Sequence, residues 1–380
     1  MNFRRKGYGK MAGSIFGSIF RVSTWGESHG RGVGVVIDGC PAGVELCEED
    51  IQSYLDRRKP GQNKYATPRK EEDMVEILSG VFEGKTTGTP IAMIVYNRTQ
   101  RSGDYREIAQ FYRPGHADFT FDRKYGFRDY RGGGRSSGRE TIARVAAGAV
   151  AAKVLQYLGV SVYAYTLSIG EIRCERGEIR LEECKENALY MPNKEKAKKA
   201  EEYLDSMMKE QNSVGGVIEG KVLGIPAGIG EPVFEKLDAN LAKAIFSIGA
   251  VKGFEIGEGF SAAESIGSDN NDSFFYDEQG KIRKETNHAG GILGGISDGD
   301  EIIFRAGIKP TPSIGKLQHT VNKSGENIEV SIKGRHDPVI VPRAVVVVEC
   351  MAAITILDMM LVGMTSTLEG IQRFYEKKLK

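Results

Sequence analysis

Several residue types and patterns are scarce in this 380-residue chain, and each scarcity excludes a class of protein. The five cysteines are scattered and none forms a C-x-x-C pair, so their spacing predicts neither a zinc site nor a disulfide framework. Such cysteine usage is typical of a reducing compartment, and we expect a cytoplasmic protein. The net charge is only +1, so no overall field attracts nucleic acid or a membrane surface.

Sequence signatures of other classes are also missing. No G-x-G-x-x-G occurs in the chain, which argues against a dinucleotide-binding fold. The basic residues 1–10 are not followed by an apolar segment, so we expect a disordered leader over residues 1–12 and no signal peptide. The most apolar stretch, residues 344–364, contains Glu349 and Asp358. We predict that it forms a buried helix and does not span a membrane.

The stretch from Arg113 to Leu155 holds the densest group of functional side chains. It contains His116 in a turn, three glycines at 132–134, and an Arg-Ser-Ser sequence at 135–137 before a small-residue helix. Consecutive glycines let the backbone turn sharply and approach a ligand closely. The S-x-x-E spacing that ends at Glu140 predicts a capping box, and a helix start with hydroxyls and an arginine suits a phosphate. An ordinary flexible turn fits the same residues.

Three other loops offer polar groups. The sequence GESHG at 26–30 places a carboxylate, a hydroxyl and the imidazole of His29 between two predicted strands. Residues 56–70 form a cationic loop after a helix predicted over 48–58, and they suit either a multiply charged anion or a solvated surface. The sequence KPTPS at 309–313 combines a cation and hydroxyls on a rigid turn, which makes it a second candidate phosphate site.

The order of predicted elements occurs twice. The first series starts at residue 33. It consists of a strand, a G-x-P-A-G turn at 39–43, a helix, further strands, a Gly-Arg loop and a buried helix. The same order returns with a turn at 224–228 and a helix over 344–361. We therefore predict an internal duplication of the strand, G-x-P-A-G and helix unit.

The predicted organisation has one main unit. We expect a single catalytic domain over residues 13–370, with a peripheral charged helical insertion at about 171–212. A charged tail is expected at 371–380.

Together these motifs resemble the chorismate synthase family. The matching sequences run in one order along the chain: GESHG at 26–30, DRRKPG at 56–61, RPGHAD at 113–118, DYRGGGRSSGRET at 129–141 and GVIEGKVLGIPAGIGEPVF at 216–234, then SIGAVKG, NHAGGILGGISDG, KPTPSI and GRHDP. The resemblance implies an α+β fold, a single-domain sandwich of long helices between antiparallel sheets, assembled as a homotetramer. It also implies conversion of 5-enolpyruvylshikimate 3-phosphate into chorismate and phosphate, with reduced FMN and no net redox change.

The resemblance further implies roles for individual residues. Catalysis falls to His29, His116 and Asp337. Substrate binding falls to a set of cations: Arg58, Lys64, Arg113, Arg139 and Arg335, of which Lys64 replaces the arginine of many relatives. Flavin binding falls to Arg135, Ser136, Ser137, Gly249, Ala250, Gly294, Lys309, Pro310, Thr311, Pro312, Ser313 and Arg335, and no metal is implied. NADPH and an external flavin reductase are the alternative sources of electrons.

Three other functions use some of the same residues. The segment RDYRGGGR is compatible with RNA binding, although the near-zero net charge argues against it. A flavin oxidoreductase with its own NAD(P)H site lacks its usual dinucleotide motif here. A metal-dependent phosphatase would use His336 and Asp337, but the other histidines lack ligand spacing.

Overall fold

The computed structural model describes residues 13–66, 71–98, 107–332 and 337–376. Within these ranges, two five-stranded antiparallel sheets enclose a layer of helices, as expected for an α+β sandwich. The predicted leader at 1–12, part of the cationic loop at 67–70, Arg335 with His336, and the last four residues of the predicted tail fall outside the described residues.

The two main sheets come from successive parts of the chain. The first contains β1 Ile15–Phe16, β2 Arg21–Gly26, β3 Gly32–Asp38, β4 Val75–Ile77 and β7 Ile91–Tyr96. Between β4 and β7, the strands β5 Val81–Phe82 and β6 Lys85–Thr86 form a small separate hairpin. The second contains β8 Ser161–Ile169, β9 Ile172–Arg173, β10 Gly216–Leu223, β11 Val251–Ile256 and, further along the chain, β16 Ile302–Ile308. The remaining strands form hairpins: β12 Phe274–Tyr276 with β13 Ile282–Lys284, β14 Ile292–Leu293 with β15 Ile296–Ser297, and β17 Gln318–Val321 with β18 Asn327–Val330.

The helices are α1 Glu48–Arg58, α2 Asp118–Tyr125, α3 Thr141–Tyr157, α4 Lys194–Lys209, α5 Leu237–Phe246, α6 Gly267–Asn270, α7 Val341–Gly363 and α8 Leu368–Glu376. The helix predicted over residues 48–58 is confirmed at both ends. Strand β4 ends at Ile77, and Gly80, which has a φ of +82°, lies at the turn into the β5–β6 hairpin.

The two long helices α3 and α7 form the centre of the sandwich. They pack so closely that a Cβ on Gly148 would lie 2.1 Å from the Cβ of Cys350. Helix α7 is long and apolar enough to cross a membrane, but 83% of its most apolar window is buried inside the protein. The prediction of a buried helix is therefore confirmed, since the sheets and α3 already cover its apolar surface.

The strand orders of the two sheets correspond. The first sheet runs β1-β2-β3-β7-β4, and the second, read from its opposite edge, runs β9-β8-β10-β16-β11. In each sheet a G-x-P-A-G turn follows the central strand, after β3 and after β10. The correspondence supports the predicted duplication, which itself stays a prediction.

A buried carboxylate near the end of α7 fixes the entry of the chain into the first sheet. The Asp358 side chain accepts the backbone N–H groups of Ser18, Ile19 and Phe20 at 2.8, 2.7 and 2.9 Å. Hydrogen bonds to an ionised acceptor are stronger than those between neutral groups. Asp358 therefore ties the residues that precede β2 to the central helix.

We predict that Asp358→Asn lowers the free energy of unfolding by about 2–3 kcal/mol, because an amide presents an N–H₂ group where backbone donors converge. Urea unfolding measures the change. The control is Glu369→Gln, whose parent side chain is 70% exposed and pairs with Arg373 within α8; we expect a change below about 0.5 kcal/mol. An equal decrease in the free energy of unfolding in the two variants would contradict the anchoring role of Asp358.

Candidate active site

The loop between β2 and β3 lies against the triple-glycine segment. His29 is buried, and its Nδ1 lies 3.1 Å from the hydroxyl of Ser28. Gly132 has a φ of +65°, and a Cβ at this position would lie 2.6 Å from Cε1 of His29. Only glycine allows the backbone to adopt this conformation against the imidazole without strain. The structure therefore brings His29 next to the predicted phosphate loop.

The segment after the glycines differs from the predicted capping box. Two 3₁₀ turns lie within residues 134–140, and α3 begins at Thr141. The carboxylate of Glu140 accepts Nε of Arg144 at 2.9 Å and is not paired back to the backbone of Ser137. The prediction was wrong because Arg144, one helical turn later, offers a charged donor that forms the stronger hydrogen bond.

The three predicted flavin-binding residues of this segment share the loop beside His29. The guanidinium of Arg135 donates to the hydroxyl of Thr24 at 2.7 Å and to the carbonyl of Gly26 at 3.2 Å. The Ser136 hydroxyl is exposed and donates to the carbonyl of Gly133 at 2.7 Å. The Ser137 hydroxyl accepts the backbone N–H of Arg139 at 3.4 Å. Arg135 thus fastens the glycine loop to β2.

Two predicted substrate-binding arginines meet at a carboxylate that the sequence analysis did not single out. Asp73 accepts Nη2 of Arg58 with one oxygen and Nη1 of Arg139, at 2.8 Å, with the other. Asn97 accepts Nε of Arg139 and donates to the carbonyls of Glu27 and Gly30 at 2.9 Å. The arginine pair is therefore connected to the loop that carries His29. No motif signals Asp73 or Asn97.

The charges of this cluster influence one another strongly. Burial lowers the pKa of Arg58 to about 10, although the charge of Asp73 offsets part of that effect. Burial alone would raise the pKa of Asp73, but the charges of Arg58 and Arg139 outweigh it and hold the pKa below its ordinary value. Nε of Arg58 and Nη2 of Arg139 are buried and have no hydrogen-bond partner among the described residues. Glu71 lies 3.9 Å from Nη2 of Arg139, too far for a hydrogen bond, so both donors are available to an acceptor such as a carboxylate or phosphate.

Asp337 joins the same cluster through another arginine. Arg343, in the first turn of α7, donates from Nη1 to Asp337 at 2.7 Å and from Nε to the carbonyl of Arg58 at 3.2 Å. Sequence reasoning overlooked Arg343 because it was considered only as a flank of the apolar helix. Its partner Asp337 was predicted to be catalytic, so the pair extends the site toward the start of α7.

A second cluster brings together three separate motifs. Nε2 of His116 lies 2.7 Å from the hydroxyl of Ser313, which is buried. Nζ of Lys309 donates to the carbonyl of Gly115 at 2.8 Å, and the backbone N–H of Lys309 donates to the carbonyl of Ala250 at 2.9 Å. The sequences RPGHAD, SIGAVKG and KPTPSI thus lie side by side, which is the arrangement that shared flavin contacts require.

This second cluster has the character of an anion site. Burial, followed by the charge of Lys252, lowers the pKa of Lys309. Lys252 lies at a β-bulge between β11 and β16, a feature that redirects side chains. The hydroxyl of Thr311 is buried and has no hydrogen-bond partner among the described residues. A cation pair beside a buried hydroxyl without a partner suits a phosphate group.

Arg113 lies between the two clusters. It forms a bidentate pair with Asp118 at 2.8 Å for both bonds, and a Cβ on Gly133 would lie 3.9 Å from its Nη2. Its carbonyl accepts the backbone N–H of His116 at 3.2 Å. Burial alone would raise the pKa of Asp118, but hydrogen bonds from Arg113 and its charge lower it. Arg113 is therefore held rigidly beside both the glycine loop and His116.

Two predicted ligands lie apart from these clusters in the described residues. Lys64 is 60% exposed and pairs with Asp205 of α4 at 2.9 Å. Gly294 occupies the exposed turn of the β14–β15 hairpin. No described contact joins either residue to His29 or His116, so their predicted roles rest on resemblance alone.

The glycine-rich loop that leads to Gly294 is held by Asp272. This carboxylate accepts the hydroxyl of Thr286 at 2.7 Å and the backbone N–H groups of His288 and Ala289 at 2.7 and 3.0 Å. Burial would raise its pKa, but these donors and the charge of Lys284 outweigh burial and lower the pKa to about 2.

Comparison with known proteins gives a consistent result. The family model described as chorismate synthase matches residues 20–361. The chain is 67% identical over 367 residues to a chorismate synthase of Lachnoclostridium phytofermentans, covering 97% of this chain and 100% of the relative. It is 55% identical over 356 residues to a chorismate synthase of Methanosarcina mazei, covering 92% of this chain and 97% of the relative.

A solved structure is also similar. A crystal structure of chorismate synthase superimposes with a TM-score of 0.75 at 32% identity, covering 96% of this chain and 98% of that one. The similarity in fold therefore extends over nearly the whole chain.

The depressed pKa of Asp272 predicts a pH dependence of stability. A carboxyl group whose pKa falls from 3.8 to about 2 on folding stabilises the protein fully above about pH 4. That contribution is lost as the pH falls toward 2, because the native state must then take up the proton. We expect Asp272→Asn to be less stable than wild type at pH 5, and the difference in unfolding free energy should narrow below pH 4. If urea unfolding gives the same difference from pH 5 to 2.5, the lowered pKa of Asp272 is contradicted.

Proposed function

Because the chain belongs to the chorismate synthase family, we propose that the two clusters convert 5-enolpyruvylshikimate 3-phosphate into chorismate and inorganic phosphate. The observation that carries this proposal is the pair of buried guanidinium donors without acceptors, on Arg58 and Arg139, beside the loop of His29. The reaction is a 1,4-elimination, in which phosphate leaves one ring carbon and a hydrogen leaves another.

The arginine cluster suits the charge of the substrate. The substrate carries two carboxylates and a phosphate, and planar guanidinium groups bind such anions with paired hydrogen bonds. We assign this binding to Arg58, Arg113 and Arg139, whose side chains are at most 12% exposed and are fixed by carboxylates. Lys64 and Arg335 are assigned by resemblance, and Arg335 lies outside the described residues.

His29 is assigned to the departing phosphate. A leaving phosphate requires positive charge and a proton donor close to its oxygens. His29 is buried against the glycine loop, and its Nδ1 is close to the hydroxyl of Ser28, so its ring is held in one orientation. This placement allows the imidazole to donate a proton while nearby arginines stabilise the charge.

FMN fits the second cluster. Lys309 and the buried hydroxyl of Thr311 would bind its phosphate, and a Cβ on Gly249 would have no neighbour within 4 Å, which leaves room for a ligand. The remaining proposed contacts are those implied by resemblance: Arg135, Ser136, Ser137, Ala250, Gly294, Pro310, Pro312, Ser313 and Arg335. When bound, reduced FMN supplies the N5 position that receives the ring hydrogen.

Two side chains would hold or transfer a proton beside the flavin. The hydroxyl of Ser313 lies 2.7 Å from Nε2 of His116, and it would hold this imidazole toward a bound flavin. Asp337 would move a proton near N5, and Arg343 orients its carboxylate. Both groups therefore act by holding or moving a proton at a fixed position.

The proposal extends to assembly and to the electron source. A homotetramer is proposed from the family resemblance. NADPH and an external flavin reductase stay alternative sources of electrons, and a cytoplasmic location stays a prediction.

An anaerobic assay tests the reaction and the cofactor together. Purified protein is mixed with 5-enolpyruvylshikimate 3-phosphate and photoreduced FMN, and chorismate absorbance and phosphate release are followed. We expect equal amounts of both products, and none when FMN is omitted. Product from oxidised FMN with NADPH would identify an intrinsic reductase activity. Absence of product in every mixture would refute the proposed function.

Replacement of either catalytic histidine tests the two clusters separately. We predict that His29→Ala and His116→Ala each lower kcat by roughly 10²- to 10⁴-fold, the usual effect of losing a proton-transfer group. The matched control is His319→Ala, since His319 is 87% exposed on β17 and pairs only loosely with Glu329. All three melting temperatures should stay close to wild type. Near-normal turnover in either site variant would remove that histidine from the mechanism.

A further inference from the structure

Asp73 lies outside every sequence motif, yet it occupies the centre of the arginine cluster. Its side chain is fully buried at 0% exposure, and its backbone has a φ of +50°, an unusual conformation for aspartate. The residue lies two positions before the first-sheet strand β4. A conformation of this kind is maintained only where the surrounding contacts determine it.

The two oxygens of Asp73 hold different arginines. One accepts Nη2 of Arg58, from the end of α1, and the other accepts Nη1 of Arg139, from the turn before α3, at 2.8 Å. Asn97 accepts the Nε of Arg139 as well. These contacts fix one edge of each guanidinium. The donors that remain without a hydrogen-bond partner among the described residues are Nε of Arg58 and Nη2 of Arg139.

The carboxylate also keeps like charges together. Arg58 and Arg139 share Asp73, and Nε of Arg343 donates to the carbonyl of Arg58 at 3.2 Å, so the three arginines are close together. Like charges at short range in a buried site repel strongly. The shared carboxylate of Asp73 offsets this repulsion, and Glu71, 3.9 Å from Nη2 of Arg139, adds a longer contact that is not a hydrogen bond, so the pair can stay in place before an anionic ligand arrives.

We propose that Asp73 is a positioning residue for the substrate: it sets the spacing and orientation of Arg58 and Arg139 so that their remaining N–H groups face the substrate anion. This inference rests on the proposed function, in which those two arginines bind 5-enolpyruvylshikimate 3-phosphate. Asp73 itself touches no substrate atom in this arrangement, because both of its oxygens face arginines.

Steady-state kinetics of Asp73→Glu and Asp73→Asn test the inference, with 5-enolpyruvylshikimate 3-phosphate varied under anaerobic conditions with reduced FMN. Glutamate keeps the counter-charge and so preserves the fold, but it moves the carboxylate by one methylene. We expect KM to rise by roughly 10- to 100-fold in both variants, the range for losing one hydrogen bond to a charged group, while kcat changes less. An unchanged KM in Asp73→Glu overturns the inference even if Asp73→Asn does not fold.

A neighbouring ion pair provides the matched control. Arg57 adjoins Arg58 on α1 and forms a bidentate pair with the buried Glu349 of α7, at 2.7 and 2.8 Å. Glu349→Gln should lower the melting temperature and leave KM unchanged, because the hydrogen bonds of Glu349 go to Arg57 and the backbone of Ala164 and not to Arg58 or Arg139. A KM rise in Glu349→Gln equal to that in Asp73→Glu would overturn the inference, since any damaged ion pair would then have the same effect.

Arg139→Lys separates this inference from the proposed function. If Arg139→Lys leaves KM unchanged, the substrate role of Arg139 fails and the inference fails with it. If Arg139→Lys raises KM while both Asp73 variants keep the wild-type value, only the positioning role of Asp73 is overturned. If KM rises in Arg139→Lys and in Asp73→Glu but is unchanged in Glu349→Gln, the result supports both the substrate role of Arg139 and the positioning role of Asp73.

Discussion

The close contact between α3 and α7 is the constraint on which the site depends. Gly148 lets the two helices approach until its backbone meets Cys350, and both helices are almost completely buried. Their N-terminal ends therefore lie at fixed positions relative to each other. Arg139 precedes α3 and Arg343 lies in the first turn of α7, so the packing of the core determines the separation of these charges.

Helix α1 completes this arrangement. Arg57 and Arg58 follow one another at its end, and they use different sides of the helix for different purposes. Arg57 pairs with Glu349 and binds α1 to the core, whereas Arg58 pairs with Asp73, and its Nε has no hydrogen-bond partner among the described residues. Adjacent arginines thus have a structural contact in one case and, in the function proposed above, a binding contact in the other.

The cost of burying so much charge explains the character of the site. Arginines removed from water destabilise a protein unless carboxylates and carbonyls compensate for the lost hydration. Here Asp73 and Asp118 compensate in part, and both have lowered pKa values because arginines outweigh their burial. The donors left over are the ones that a multiply charged substrate can satisfy. Binding would therefore complete a network that the protein leaves incomplete by itself.

The sequence alone determined much of this protein. Periodicity predicted α1 and the buried α7, and the GESHG, RPGHAD and KPTPS motifs identified His29, His116 and Ser313 as candidates. Motifs reveal such residues because loop chemistry depends on neighbours in the chain. The same reasoning failed at Glu140, where the capping box was replaced by a pair with Arg144.

Only the tertiary structure decided which candidates meet. Asp73, Asn97 and Arg343 carry no local signal, since an isolated aspartate, asparagine or arginine occurs in most surface loops. Their importance comes from partners far away in the chain, such as Arg139 for Asp73 and Arg58 for Arg343. Folding brings these groups together because burial of α3 and α7 fixes the helix ends, and a linear pattern cannot report the distances that result.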